Sequence, residues 1–261
     1  MPMRILSLGA GVQSSTLLLM ACEGELQIDA AIFADTQWEP AGVYEWLDFL
    51  DTKAQAAGIP LHRVTHGSIR ELTLGAAGKR FASLPLYVKQ ADGSLGIGRR
   101  QCTKEYKLRP IQRLVVSWGA TAKKPVDMAI GISLDEIQRM RDSRVRYVRN
   151  IYPLIERRMT RGDCLGWLQR HGYPEPQKSA CIGCPYRRNS EWRKLTPTEM
   201  ADAIDFDERI RDHNHKMTGQ QFLHRSFVPL AEVDLRSEQD RGQFDMFETD
   251  GCGVLCAGDL A

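Results

Sequence analysis

The sequence predicts an α/β protein: a doubly wound, mostly parallel sheet followed by a C-terminal helical, cysteine-bearing extension. Three observations carry this. Short apolar runs alternate with helical-period runs through the first half of the chain. The 261 residues, 43% hydrophobic and 26% charged, suit one large α/β domain, or one domain plus a small appendage. No run of about 18 apolar residues is present to span a membrane.

Arg4 to Leu8 reads as a short apolar strand, followed by a Gly/Ser loop and the helical run SSTLLLMACEGEL. IDAAIFAD is a buried strand ending in Asp35, and Tyr44 to Ala57 is an amphipathic helix with Trp46, Leu47 and Leu50 on one face. Pro60 to Val64 is a third strand, and Ser68 caps a helix reaching Leu74. Lys79 to Gly98, with Pro85, Gly93, Gly96 and Gly98, breaks the pattern and reads as a loop-like lid. A helix is expected from Thr103 to Trp118, a strand from Val126 to Ile132, and a helix from Thr160 to His171. Pro174 to Pro185 is a loop. A helix then runs from Thr196 to Lys216, with Pro197 at its first position and Glu199 completing a capping box. The tail from Ser237 is polar and Gly-rich apart from Phe244, Met246 and Phe247.

The segment Ser7 to Thr16 (SLGAGVQSST) lies between the first strand and the first helix. Its glycines let the backbone approach a ligand, and N–H groups at the helix start, with hydroxyls from Ser14, Ser15 and Thr16, form an anion site. It is neither a Walker A loop nor a GxGxxG fingerprint, since only Gly9 and Gly11 fit the latter. Asp35 and Thr36 end the second strand, where ligands of open α/β sheets bind. Asp35 is placed either to accept from a ribose or adenine, or to cap the next turn.

Charge is unevenly spread. Residues 99–194 hold 22 Lys and Arg against 9 Asp and Glu, and the rest of the chain 13 against 24. A basic middle suits a polyanion, nucleic acid or a polyphosphate nucleotide. Lys104, Lys107 and Arg109 are candidates to grip phosphate or sulfate. Arg139, Arg141, Arg144 and Arg146 follow the Gly131 turn. Arg187, Arg188, Arg193 and Lys194, interleaved with Tyr186 and Trp192, suit nucleic acid.

Seven cysteines, an odd number, follow an N-terminus without an apolar signal region, so free thiols in a cytoplasmic protein are expected. Cys181-Ile-Gly-Cys184 places two thiolates on one tight loop, which suits zinc, an iron–sulfur cluster or a redox dithiol. Cys102 sits at a predicted helix start, where a thiolate is stabilised. Cys164 is either a further ligand or a small apolar filler of its helix. Cys22 lies on an apolar helix face. His171, His213 and His215 are possible zinc partners but read as surface histidines.

Gly9 to Ser14 (GAGVQS) and Ala34-Asp35-Thr36 resemble the PP-loop superfamily of adenine-nucleotide α hydrolases, which includes phosphoadenosine-phosphosulfate (PAPS) reductases, ATP pyrophosphatases and tRNA thiolation enzymes. Its ATP-type loop, SGGxDS, is altered here to Gly9 and Gln13. Gly11-Val12-Gln13 is closer to the G-I-Q form of PAPS reductases. Ile130 to Glu136, with Arg139, resembles the G-I-R-x-D-E-S segment, and Gln101 to Lys107, with Pro110, resembles the cysteine–basic–proline segment. The similarity runs from Met3 to about Pro185.

That resemblance implies a Rossmann-like nucleotide-binding domain over residues 1–155 and a helical region with the metal loop and cysteine tail over 156–261. It implies ATP or another adenine nucleotide with Mg, contacted by Ser7, Gly9, Gly11, Gln13, Ser14, Ser15, Asp35, Thr36, Lys104, Lys107, Gly131 and Glu136. Cys102 followed by Cys181 and Cys184 resembles the cluster-bearing adenylylsulfate reductases, although Gln101-Cys102 replaces their Cys-Cys pair. It equally resembles iron–sulfur tRNA thiolases with one open iron. A 4Fe-4S cluster on Cys102, Cys181 and Cys184, with Cys164 as a candidate fourth ligand, is therefore implied, with zinc as the alternative. Gly251-Cys252 resembles the nucleophile segment of PAPS reductases without its Glu and His, which makes Cys252 a candidate nucleophile or persulfide carrier and Cys256 its resolving partner.

Three functions follow as expectations. The first is ATP-dependent sulfur insertion into tRNA or DNA through an adenylated intermediate, fed by a cysteine desulfurase. The second is a sulfonucleotide reductase with a thioredoxin-like donor. The third is a nucleotide-sensing iron–sulfur regulator. No membrane partner is expected, and a homodimer is compatible with each.

Overall fold

The computed structural model describes residues 2–75, 84–211 and 219–236. Strand β1 (Arg4–Leu8) leads through helix α1 (Val12–Cys22) to β2 (Ala30–Asp35), then α2 (Ala41–Ala56), β3 (Leu61–Thr65) and α3 (Ile69–Gly75). A hairpin of β4 (Tyr87–Lys89) and β5 (Leu95–Ile97) precedes a π-helical turn (Thr103–Leu108) that runs into α4 (Arg109–Ser117). Strands β6 (Val126–Ile130) and β7 (Val148–Ile151) follow. Helices α5 (Pro153–Glu156), α6 (Arg161–Arg170), α7 (Asn189–Trp192) and α8 (Pro197–Ile210), strand β8 (Gln220–Phe222) and two 3-10 helices (Leu134–Arg139 and Leu230–Glu232) complete the described elements.

The main sheet has the order β3-β2-β1-β6-β7, with every pairing parallel. The chain winds outward from β1 to β2 and β3, then returns to β6 on the other flank of β1. The order therefore reverses between β1 and β6, and ligands of such sheets bind beyond the carboxyl ends at that switch point. This is the expected Rossmann-like α/β architecture.

Alternation along β2 divides its side chains between two faces. Ala31 and Phe33 pack with α1, α2 and α6, while Ile32 and Ala34 pack with α4. Helix α1 is buried from Ser14 to Ala21 because it lies against the sheet, α2 and α6. Its run TLLLMA is therefore apolar all round rather than striped.

A second core joins Trp38, Ile69, Leu84, Leu86, Tyr106, Cys181, Ile182, Trp192 and Phe206. Helix α6, beyond residue 155, packs in the first core, whereas Leu84, Leu86 and Tyr106 pack in the second. Two buried polar groups hold the second core. Asp207 accepts from the backbone N–H of Leu223 at 2.7 Å and of Leu230 at 2.9 Å, and from Arg211 Nη2 at 2.5 Å. His224 lies between Ser226 Oγ at 2.7 Å and Asn189 Oδ1 at 3.1 Å.

The expected helix starts at Thr160 and Thr196 are present, each with a capping box, to Asp163 and Glu199 respectively. Residues 84–98, expected as loop, carry the β4–β5 hairpin, which β8 extends into a three-stranded antiparallel sheet. Strands β7 and β8 and helix α7 were not expected. Each is four residues or shorter, below the length at which periodicity is readable. Residues 76–83, 212–218 with His213 and His215, and 237–261 with Cys252 and Cys256 lie outside the described residues. Among the described residues no helix is long and apolar enough to cross a membrane.

Asp207→Ala should cost about 3–5 kcal/mol in urea unfolding, because it leaves two buried backbone donors without an acceptor and removes the carboxylate partner of the partly buried Arg211. Burial lowers the His224 pKa. As pH falls, the unfolded imidazole protonates before the folded one, so stability should drop below about pH 6.5. His224→Gln should flatten that drop.

Candidate functional site

The turn Gly9-Ala10-Gly11 converts β1 into α1. Ala10 has φ 55°, and Gly11 caps the helix with no side-chain hydrogen bond. The Ser15 N–H donates to the Gly11 carbonyl at 2.9 Å. The N–H groups of Val12, Gln13 and Ser14 precede that bond and have no acceptor within the helix. They lie at the switch point on the positive end of α1, the kind of helix start that suits an anion. The Ser14 hydroxyl fixes the turn, accepting from Gly9 N–H at 3.1 Å and donating to the Gly11 carbonyl at 3.3 Å. Gly131, just past β6, presses on this turn: a Cβ there would lie 2.8 Å from the Ser14 nitrogen.

Not every expected loop residue reaches the mouth. Ser15 is fully buried and its hydroxyl accepts the Trp46 indole N–H at 2.9 Å. Thr16 donates back to the Val12 carbonyl at 2.9 Å. The helical turn carries both inward, so neither lies where a nucleotide contact was expected. Ser7 is half-buried in β1, in register with Ile32 and Ile130 of its neighbours. Gln13 donates to Ser133 Oγ at 3.4 Å and to Glu136 Oε2 at 3.3 Å, and accepts from Arg161 Nη1 at 3.3 Å. Arg139 pairs with Glu136 at 2.5 Å. The loop mouth is thus ringed by a polar network from three segments.

One strand over, β2 ends at Asp35. Its Oδ1 accepts from Gln37 N–H at 2.7 Å and from Tyr44 OH at 2.9 Å, so Asp35 caps the following turn. Burial and the Asp35 contact push the Tyr44 pKa up. Thr36 is 1% exposed. Its hydroxyl donates to Glu39 Oε1 at 3.1 Å and shares a 3.2 Å hydrogen bond with Cys181 Sγ. Cys181 Sγ also lies 3.6 Å from the same Glu39 oxygen, and its one proton goes either to that oxygen or to Thr36 Oγ1.

The Cys181–Cys184 loop therefore docks on the end of β2. The Ile182 N–H donates to the Trp38 carbonyl at 2.7 Å. The Trp38 ring lies against Gly183, where a Cβ would meet it at 2.1 Å, and its indole N–H donates to Asp202 at 2.5 Å. Arg187, 5% exposed, donates to the carbonyls of Ala180 at 2.7 Å, Cys181 at 3.1 Å and Ile182 at 3.0 Å. This corrects its expected place on a nucleic-acid face, as does full burial of Trp192. Tyr186 remains exposed, with Arg100 over its ring at 5.3 Å.

Cys102 and Cys184 are half-buried against the same core as Cys181. Lys107 reaches this group, its Nζ 4.0 Å from Glu39 Oε1. Burial works to lower the Lys107 pKa, but Glu39 and then Cys181, Cys102 and Cys184 outweigh it and raise it. Burial pushes the thiols of Cys181 and Cys184 up; Glu39 adds to the rise at Cys181, while Lys107 and Arg187 oppose the rise at Cys181 and Cys184 respectively. Lys104 is exposed. Cys164 is not brought to the group. It is fully buried in the first core beside Thr16, and burial lifts its pKa to about 11. It fills space, and the structure does not support it as a fourth ligand. Glu39, Trp38 and the buried role of Arg187 belong to no motif and were missed.

No three His, Cys, Asp or Glu side chains converge tightly enough for a metal ion among the described residues. The group nevertheless fits an anionic iron–sulfur cluster. Cys181 lies in the second core with Cys102 and Cys184 packed against it; Lys107 reaches Glu39 beside Cys181, and Arg187, which has no carboxylate in ion-pair range among the described residues, donates to the loop carbonyls. Cations facing thiols offset the negative charge of a thiolate-held cluster.

No protein-family model and no curated protein matches the chain. Among solved structures it is similar to the phosphoadenylyl-sulfate (PAPS) reductase from Candida auris in its phosphate complex, with TM-score 0.47 and 15% identity over 69% of this chain and 82% of that one. It is also similar to the U34-tRNA thiolase NcsA from Methanococcus maripaludis with its 4Fe-4S cluster, with TM-score 0.41 and 14% identity over 80% of this chain and 65% of that one. At these values neither likeness carries an argument about chemistry.

Gly183→Ala should force Trp38 off the loop and cost about 1–3 kcal/mol or more of stability. In metal-free protein it should also speed alkylation of Cys181, followed by mass spectrometry, while leaving that of Cys164 unchanged.

Proposed function

We propose that this chain is an adenine-nucleotide-binding enzyme of sulfur chemistry that uses ATP to insert sulfur into a nucleic-acid acceptor. The observation that carries the reading is the 3.2 Å contact between Thr36 and Cys181, which ties the thiol loop to the strand beside the phosphate loop. β1 and β2 are adjacent and in register at Leu8 and Phe33. Paired strands lie about 4.8 Å apart, so the anion-receiving turn and the thiols share one edge of the sheet.

In this reading the free N–H groups of Val12, Gln13 and Ser14 take phosphate oxygens of ATP bound with Mg. Gln13, Glu136 and Arg161 order the mouth of the loop. An oxygen of the acceptor attacks the α-phosphorus; that P–O bond forms as the bond to pyrophosphate breaks. Sulfur then attacks the adenylated centre and AMP leaves with the oxygen. A 4Fe-4S cluster, held by Cys102, Cys181 and Cys184, supplies the sulfur-carrying chemistry when bound. Lys107 and Arg187 offset its charge, and burial keeps water from Cys181. Zinc would need ligands meeting at one point, a convergence not found among the described residues. The basic middle of the chain and the exposed Arg100–Tyr186 stack favour a tRNA or DNA acceptor. A cysteine desulfurase would replenish the sulfur.

The reductase reading keeps support from the Gly11-Val12-Gln13 turn, which carries no acidic residue. Its nucleophile, Cys252, and the partner thiol Cys256 would be served by a thioredoxin-like donor.

The test pairs two assays on anaerobically purified protein. Pyrophosphate release from ATP should depend on tRNA or DNA, and thiolated nucleoside should appear by mass spectrometry. Cys181→Ser should cut thiolation by more than about 100-fold, roughly 2.7 kcal/mol of barrier, while pyrophosphate release persists. Sulfite release from a sulfonucleotide, lost in Cys252→Ser, would establish the reductase instead. Neither activity would leave the regulatory reading.

A further inference from the structure

The β4–β5 hairpin leaves one face uncovered. Leu95 and Ile97 are 59% and 49% exposed. Tyr87 stands opposite Ile97 in the register, so the two side chains share that face. The other face carries Val88 and Gln221, which are paired and buried. A contiguous apolar strip on one side of a hairpin marks an interaction surface.

The turn after β8 extends this surface. Phe227 takes φ 56°, a conformation that is costly for a bulky side chain and that collects at functional sites. His224 holds the turn, its carbonyl accepting the Phe227 N–H at 3.1 Å and its ring meeting Ser226 and Asn189. The Phe227 ring is thereby set edge-on against Tyr87, with centroids 5.5 Å apart. Burial pushes the Tyr87 hydroxyl pKa up, Arg225 opposes this and Cys184 adds to it, so both groups lie near the Tyr87 ring.

Cys184 is also where the second aromatic group sits. The Tyr186 backbone N–H hydrogen-bonds the Cys184 sulfur, and the Tyr186 ring is 44% exposed. The Arg100 guanidinium, three residues beyond Ile97, lies over that ring at 5.3 Å. Neither Arg100 nor Arg225 has a carboxylate in ion-pair range among the described residues. A guanidinium that faces a ring instead of an acid keeps its charge available to phosphate.

We propose that this surface, from the hairpin face across the Tyr87–Phe227 pair to the Arg100–Tyr186 stack, holds an unpaired stretch of nucleic acid and brings one of its bases beside Cys184. This rests on the nucleic-acid acceptor of the reading above and names its form. Rings and apolar side chains take base faces, which a duplex hides and a single strand offers, while Arg100 and Arg225 take phosphates. The strand is gripped without base-edge contacts, so it is selected by being unpaired rather than by its sequence.

The test uses the full chain, purified without oxygen, and fluorescein-labelled single strands about 12 nucleotides long, as RNA and as DNA, beside their duplexes. Anisotropy should show a single strand bound at least about 10-fold tighter than its duplex. Tyr186→Ala should weaken single-strand binding about 5- to 100-fold, and Tyr186→Phe, which keeps the ring, should restore it. Arg100→Ala should weaken binding and lower the slope of log affinity against log salt by about 0.7. Strands carrying 5-bromouridine should crosslink under ultraviolet light to Tyr87, Tyr186 or Phe227, located by mass spectrometry; this readout does not depend on any variant folding. Binding of RNA or of DNA supports the platform, and the tighter one identifies the acceptor. Duplex bound as well as single strand, or Tyr186→Ala binding and crosslinking as wild type does, would overturn the platform and leave the nucleic-acid acceptor standing. No binding of any strand or duplex would overturn that acceptor, and the platform with it.

Discussion

The site depends on how the Cys181–Cys184 loop is fastened to the end of β2. Thr36 meets the Cys181 sulfur, the Trp38 carbonyl accepts the Ile182 N–H, and the Trp38 ring fills the space that only glycine leaves at position 183. Arg187 closes the loop from beneath by donating to three of its carbonyls. Each contact joins residues more than 140 positions apart, or loop residues among themselves, so the cysteines reach the sheet through tertiary packing. Without this fastening the protein would have a nucleotide-type sheet and a separate thiol loop, with no reason for one chain to carry both.

The electrostatics follow from that burial. Burial favours the protonated forms of Cys181 and Cys184, and Glu39 adds to this at Cys181, while Lys107 pulls the other way at Cys181 and Arg187 at Cys184. A metal-free pocket of this kind holds neutral thiols poorly matched to two cations. In the proposed cluster-bound form, deprotonation would turn that mismatch into attraction. The same logic explains why a buried guanidinium with no carboxylate partner among the described residues is tolerable: its charge faces sulfur, and its donors face backbone carbonyls.

Much of the fold was legible because it is written in local patterns. Apolar strands ending in glycine or Asp35, and Thr–Pro–x–Glu at position 196, state their structure within a few residues. The β4–β5 hairpin was hidden because three-residue strands containing Gly96 show no period. In the candidate site, the glycine turn and the CxxC loop were visible by residue type and spacing, and Cys102 was joined to them only through the family resemblance. Ser15 and Arg187 were misplaced, and Cys164 was left open between ligand and filler, for one shared reason. A hydroxyl, a thiol or a guanidinium has the same letter whether it faces a ligand or a core, and only packing decides. Glu39 was missed for the opposite reason, since an exposed acid after a strand is commonplace and its burial comes entirely from the distant CxxC loop.

The central claim is that the phosphate turn and the thiol group form one site. It is tested most directly by measuring iodoacetamide alkylation at each cysteine of cluster-free protein, with and without saturating ATP, by mass spectrometry. A shared site predicts that ATP slows reaction at Cys102 and Cys184, which are half-buried in the thiol group, and leaves Cys22, at the far end of α1, unchanged. Equal rates with and without ATP, or equal slowing at Cys22, would contradict it.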